Sequence, residues 1–133
     1  MKIDSEKVVV NADVNTVFNF LKDANNIGEL LPQDDVKDFT ATQTECSFKV
    51  QGGIIITLEQ KEMIENQQII MKAGAKSPFP FDLTIFMQPQ GDQTQGYIHF
   101  DGKVNAFLKM MVQKPLTNLF NYMTNKIKEK YEA

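Results

Sequence analysis

The chain has 133 residues, 42% hydrophobic and 23% charged, with a net charge of −3, which fits a single globular domain over residues 1–133 that needs neither disulfide nor metal to build a core. No apolar run approaches the ~20 residues of a membrane span, and Met1 to Glu6 lacks the apolar core of a secretion signal, so a cytoplasmic protein is expected. All 14 basic residues are lysines, dispersed among acids and without an arginine fork to read phosphate or guanine, so nucleic acid is not an expected partner. The single Cys46 has no partner for an internal disulfide.

Lys2 to Val10 reads as a first strand, with β-branched Val8, Val9 and Val10 at its end. Asn11, Ala12 and Asp13 offer capping groups ahead of Val14, Val17, Phe18 and Leu21, which recur at helical spacing and predict a short amphipathic helix. Asp23 to Asn26 breaks that helix, and Ile27 to Leu31 supplies one or two further turns before Pro32. Strand texture then takes over. Val36 to Thr42 and Glu45 to Val50 form a hairpin pattern, the second with Cys46, Phe48 and Val50 alternating against Ser47, Lys49 and Gln51. Gly52-Gly53 turns the chain into a long, curved strand from Ile54 to Glu65, which Asn66 and Gln67 turn into Gln68 to Ala75. Ser77-Pro78-Phe79-Pro80 is a stiff link. Phe81 to Gln88 and Thr94 to Val104 complete the series.

The last quarter is helical. Leu116, Leu119, Phe120, Met123, Ile127 and Tyr131 make one apolar stripe on a period of 3.6 residues, opposite Asn118, Asn121, Asn125, Lys128 and Glu129. Before Leu116 the pattern changes. Projected at 100° per residue, Lys109 falls within the stripe while Phe107, Met110 and Met111 spread over its polar side. Pro115 lacks the amide proton owed to Met111, so a kink or break is expected there. Asn105 to Lys114 then becomes a separate arm, with Phe107, Leu108, Met110 and Met111 covering the open end of a cavity.

Strand, two short helices, about six strands on short links and one long helix describe an α+β chain in which a curved antiparallel sheet of about seven strands wraps a C-terminal helix. Val8 to Leu21, read as a strand followed by an A-x-x-x-V-F-x-x-L-like helix, and the terminal helix from Phe107 to Tyr131 resemble the START and birch-pollen-allergen superfamily (SRPBCC), the helix-grip fold of the polyketide cyclase/dehydrase and lipid-transport group. The resemblance implies a START-like domain that binds or carries a lipid-, sterol- or polyketide-like molecule between sheet and helix. A protein-interaction module that takes a protein partner is the second reading, and a cyclase/dehydratase-like enzyme the third.

No catalytic constellation stands out. His99 is the sole histidine and by alternation shares an outer face with Tyr97 and Asp101. Cys46 sits on an apolar face, where a free thiol behaves as a small hydrophobe. Glu59, Asp82 and Asp101 occupy the face opposite the larger apolar set, and neither Gly52-Gly53 nor Gln88 to Gly91 matches a phosphate-cradling loop. No metal site and no cofactor is expected. Seven methionines and ten phenylalanines, without tryptophan, suit an adaptable apolar pocket. Its expected walls are Phe48, Ile56, Leu58, Met71, Leu83, Ile85, Met87, Ile98 and Phe100 from strands and Phe107, Met111, Leu119, Phe120 and Met123 from the terminal helix.

Overall fold

Alternation becomes strand and 3.6-residue spacing becomes helix along nearly the whole computed structural model, which describes residues 1–50 and 52–132. The order is β1 (Lys2–Asp4), β2 (Val8–Val10), α1 (Val14–Leu21), a 3₁₀ segment (Ala24–Leu30), β3 (Lys37–Ala41), β4 (Glu45–Val50), β5 (Ile54–Ile64), β6 (Gln68–Ala73), β7 (Phe81–Gln90), β8 (Gln93–Gly102) and α2 (Ala106–Lys130). Gln51, expected as a polar position beyond Lys49, lies outside the described residues. The strands form one curved antiparallel sheet in the order β1-β8-β7-β6-β5-β4-β3, with β2 also on β8. α2 crosses its inner face and touches β1, β2, β8 and the 3₁₀ segment.

The sheet has eight strands where about seven were expected, because the run from Lys2 to Val10 is divided. Ile3 lies opposite Phe100 and Val8 opposite Gly96, so β1 and β2 are one residue out of step along β8. Ser5 occupies the gap: its N–H donates to the Ile98 carbonyl at 2.8 Å, and its Oγ accepts from the Ile98 N–H at 2.8 Å. A hydroxyl thus replaces a ladder carbonyl at a bulge. β5 has a similar shift between Gln60 and Glu62, which bends this eleven-residue strand around the helix.

Caps set the connecting helices. Asp13 accepts from the Thr16 N–H at 2.8 Å and begins α1, and that hydrogen bonding holds its carboxyl below the usual range. Asp23 does the same for Asn25 at 3.0 Å, so the second helical segment begins at Ala24, before the expected Ile27, and is wound as 3₁₀.

The break at Pro115 is not formed, for α2 continues through it as one helix of 25 residues. Four residues before Leu116 stands Val112, fully buried, and four before that Leu108, half-buried against the core. The inward stripe therefore runs Leu108, Val112, Leu116, Leu119, Phe120, Met123 and Ile127 without interruption. Packing on both sides of Pro115 keeps the helix continuous despite the missing hydrogen bond. Phe107, Met110 and Met111 are 68%, 79% and 51% exposed, so they point outward and close no cavity mouth.

Candidate functional site

Between β2, β8, α1, the 3₁₀ segment and α2 the inner face leaves a cavity of about 40 Å³. Val8 and Val10 enter from β2, Val17 and Leu21 from α1, Ile27 and Leu30 from the 3₁₀ segment, Ile85 and Met87 from β7, Ile98 from β8, and Met123 and Ile127 from α2. Its hydroxyls come from Thr94 and Thr124, and both are committed: Thr94 Oγ1 donates to the Ala12 carbonyl at 2.8 Å and Thr124 Oγ1 to the Asn121 carbonyl at 3.0 Å. Among the described residues no buried side-chain polar atom lacks a hydrogen-bond partner. The chamber is apolar, without a free polar handle.

Gly96 explains why space remains. It shares the inward face with Ile98 and Phe100 and lies between Val8 of β2 and Met87 of β7. A Cβ built there would meet only the Phe86 carbonyl, at 3.0 Å, so its far side opens into the cavity. The rest of the grip is closed by rings. Phe100 lies 4.9 Å from Phe81, 5.3 Å from Phe120 and 6.3 Å from Phe79 between ring centroids, an aromatic plug that fills the half of the sheet–helix space away from α1.

The fourteen expected wall residues therefore divide. Ile85, Met87, Ile98 and Met123 line the cavity. Leu119 lines a separate groove of about 190 Å³ with Val36, Val50, Pro115 and Tyr122. Phe48, Ile56, Leu58, Met71, Leu83, Phe100 and Phe120 are buried in closed packing. Phe107 and Met111 face solvent. The β2, α1 and 3₁₀ contributions were not foreseen, although Val8 and Val10 alternate, Val17 and Leu21 are four apart, and Gly96 interrupts a strand.

Titratable groups lie elsewhere. His99 sits on the outer face, its Nδ1 2.5 Å from Asp4 Oδ1. Cys46 is buried, and desolvation, helped by the Glu45 charge, pushes its thiol up to about 12. Glu59 lies on the outer face opposite Glu45, along a polar groove of about 390 Å³ shared with Ser47, Thr57 and Lys76. Asp82 and Asp101 are exposed, and Asp82 pairs with Lys61 at 3.5 Å.

No protein-family profile and no curated protein sequence matches the chain. Solved structures do. A START superfamily protein from Mycobacterium smegmatis superposes with a TM-score of 0.75 at 16% identity, covering 98% of this chain and 96% of that one. A Thalictrum norcoclaurine synthase point mutant bound to a transition-state analogue gives 0.76 at 11% identity over 98% and 93%. The Aha1 dimer from Colwellia psychrerythraea gives 0.69 at 11% identity over 99% and 96%. With the eight-stranded antiparallel sheet and the long terminal helix, these likenesses show that the chain has the START/birch-pollen-allergen helix-grip fold.

Proposed function

We propose that the protein binds a small apolar molecule in the chamber between β2, β8, α1 and α2. The observation that carries this reading is an internal space left open at Gly96 and walled by aliphatic side chains, with both hydroxyls already bonded to backbone. Apolar cavities of this kind stay dry and lower their free energy by accepting an apolar guest. The Thalictrum protein of the same fold, which holds a transition-state analogue, supports ligand binding as a use of this architecture.

Size narrows the class. A cavity of about 40 Å³ admits roughly three water-sized probes, against ~300–1,000 Å³ for pockets that take drug-sized ligands. A short aliphatic molecule is therefore the favoured guest; a single aromatic ring, which takes a cavity of about 150 Å³, needs the walls to give, and a sterol or long-chain lipid would require α1 and the 3₁₀ segment to move away from α2. Displacement of a fluorescent apolar probe by a graded series, from short aliphatic alcohols through single-ring aromatics to long-chain fatty acids, tests this. Saturable binding should peak among the smaller members and fall at least tenfold in Ile127→Phe, which fills the chamber. A bare chain by native mass spectrometry, with no saturable displacement by any member, overturns the reading.

A further inference from the structure

The face of α2 turned away from the sheet has its own chemistry. Phe107, Met110, Met111 and Lys114 fall within about 100° of arc, opposite the Leu108–Val112–Leu116 stripe, and all four are exposed. Three large apolar side chains in one exposed cluster are more than a solvated helix face needs. The charge around them is one-sided. From Gly102 to Lys128 there are five lysines and no acid, so the remainder of a chain with 14 lysines and 17 acids carries a balance of −8. The lysines are thus less evenly dispersed than the whole chain suggests. Lys114 lies within that arc and Lys103 stands just before the helix, and neither is in an ion pair among the described residues; Lys109 projects to the other side, in line with the stripe. Asp35, which shares a groove with Pro115 and Tyr122, bounds the face on its C-terminal side.

We infer that this face docks on an anionic phospholipid surface, with Phe107, Met110 and Met111 entering the headgroup boundary and Lys103 and Lys114 meeting lipid phosphates. Charge complementarity selects this occupant over a second copy of the chain. A two-fold interface would set each protomer's Lys103 and Lys114 against the same two on its partner, with Asp35 at one edge of the face only, whereas an anionic leaflet attracts both. The face is separate from the chamber, so docking does not depend on what the chamber holds.

Co-sedimentation with vesicles of phosphatidylcholine alone and of phosphatidylcholine mixed with phosphatidylglycerol tests the inference. The protein should partition onto the mixed vesicles, weakly or not at all onto the neutral ones, and detach as salt is raised. Lys103→Gln with Lys114→Gln should lower the partition coefficient about 25-fold, from roughly a fivefold loss per lysine. Phe107→Ser with Met110→Ser and Met111→Ser should lower it at least tenfold, while circular dichroism stays native because these side chains are half or more exposed and lie outside the core. No partition onto mixed vesicles, or partition that either the lysine or the apolar variant leaves unchanged, overturns it. So does a monomer–dimer equilibrium in sedimentation that the apolar triple variant abolishes, which would make the face a self-interface.

Discussion

The two halves of α2 share one helix and one inward stripe but differ in what their other side faces. From Leu116 to Ile127 the apolar residues are held against the sheet, with Phe120 seated on Phe100 at 5.3 Å, and the outer positions are mostly amides and lysines. From Ala106 to Lys114 only Leu108 and Val112 pack inward, and the bulkiest apolar groups face outward. Size and hydrophobicity therefore do not tell which side of a helix is core; phase relative to the stripe does.

The largest expected effect separates two phenylalanines thirteen positions apart. Phe120→Ala opens a void in the aromatic plug and should cost about 3–5 kcal/mol. Phe107→Ala removes a ring that touches solvent and should change stability by no more than about 0.5 kcal/mol. Urea denaturation read through the midpoint, with the slope unchanged, checks both. Equal losses would mean that the first half of α2 is packed as tightly as the second.

Pro115 stands at the join, and its replacement tests whether the halves act as one. In an unbroken helix, Pro115→Ala restores an amide for the Met111 carbonyl and removes a ring crowded against it. That should stabilise the fold by about 2 kcal/mol, after allowing for the freer unfolded chain. Thermal unfolding measures the gain, and hydrogen exchange should show slower exchange over the turn before residue 115. A loss of stability would show that proline's bend is needed to seat Val112 and Leu116 together.

At the start of α2, Asn105 Oδ1 accepts from the Leu108 N–H at 2.8 Å. Asn105→Ala should cost about 1 kcal/mol, expressed as faster amide exchange in the first turns. Exchange beyond Pro115 should change less, since the hydrogen-bond ladder is already interrupted there.

Element order was legible in the sequence because alternation, glycine turns and caps act locally, and each carried its meaning into the fold. Asp13 and Gly52-Gly53 do in three dimensions what their residue types imply. What stayed hidden depended on partners distant in sequence. Ser5 divides the first strand only because its hydroxyl meets Ile98 across the sheet. Phe107, Met110 and Met111 drew the expected apolar face toward themselves, although Leu108 and Val112 continue the stripe in steps of four. The chamber could not be placed from inward faces alone, since nearly every inward residue is buried. Its position follows from where a side chain is missing, at Gly96, and from which side of the grip the Phe79–Phe81–Phe100–Phe120 rings fill.

The smallest effect lies at the far end of α2, which is tied down where the near end is not. Tyr131 meets Phe20 of α1 edge-on at 6.4 Å, Lys130 Nζ lies 4.7 Å from the Phe20 ring, and the same ammonium reaches Glu29 Oε1 at 3.4 Å. Partial burial raises the Tyr131 phenol above its ordinary value, against a smaller opposing pull from Lys130. A pKa raised in the folded state means a contribution to stability that is complete below the unfolded value of about 10 and is lost as pH rises through the folded one. Thermal midpoints should therefore fall slightly more steeply between about pH 9 and 11 in the parent protein than in Tyr131→Phe, which keeps the ring on Phe20 and has no phenol to ionise. Every other ionisable group is common to both proteins, so the difference between the two curves isolates this one group. Coincident curves would mean that the last turn of α2 is as loosely held as its first.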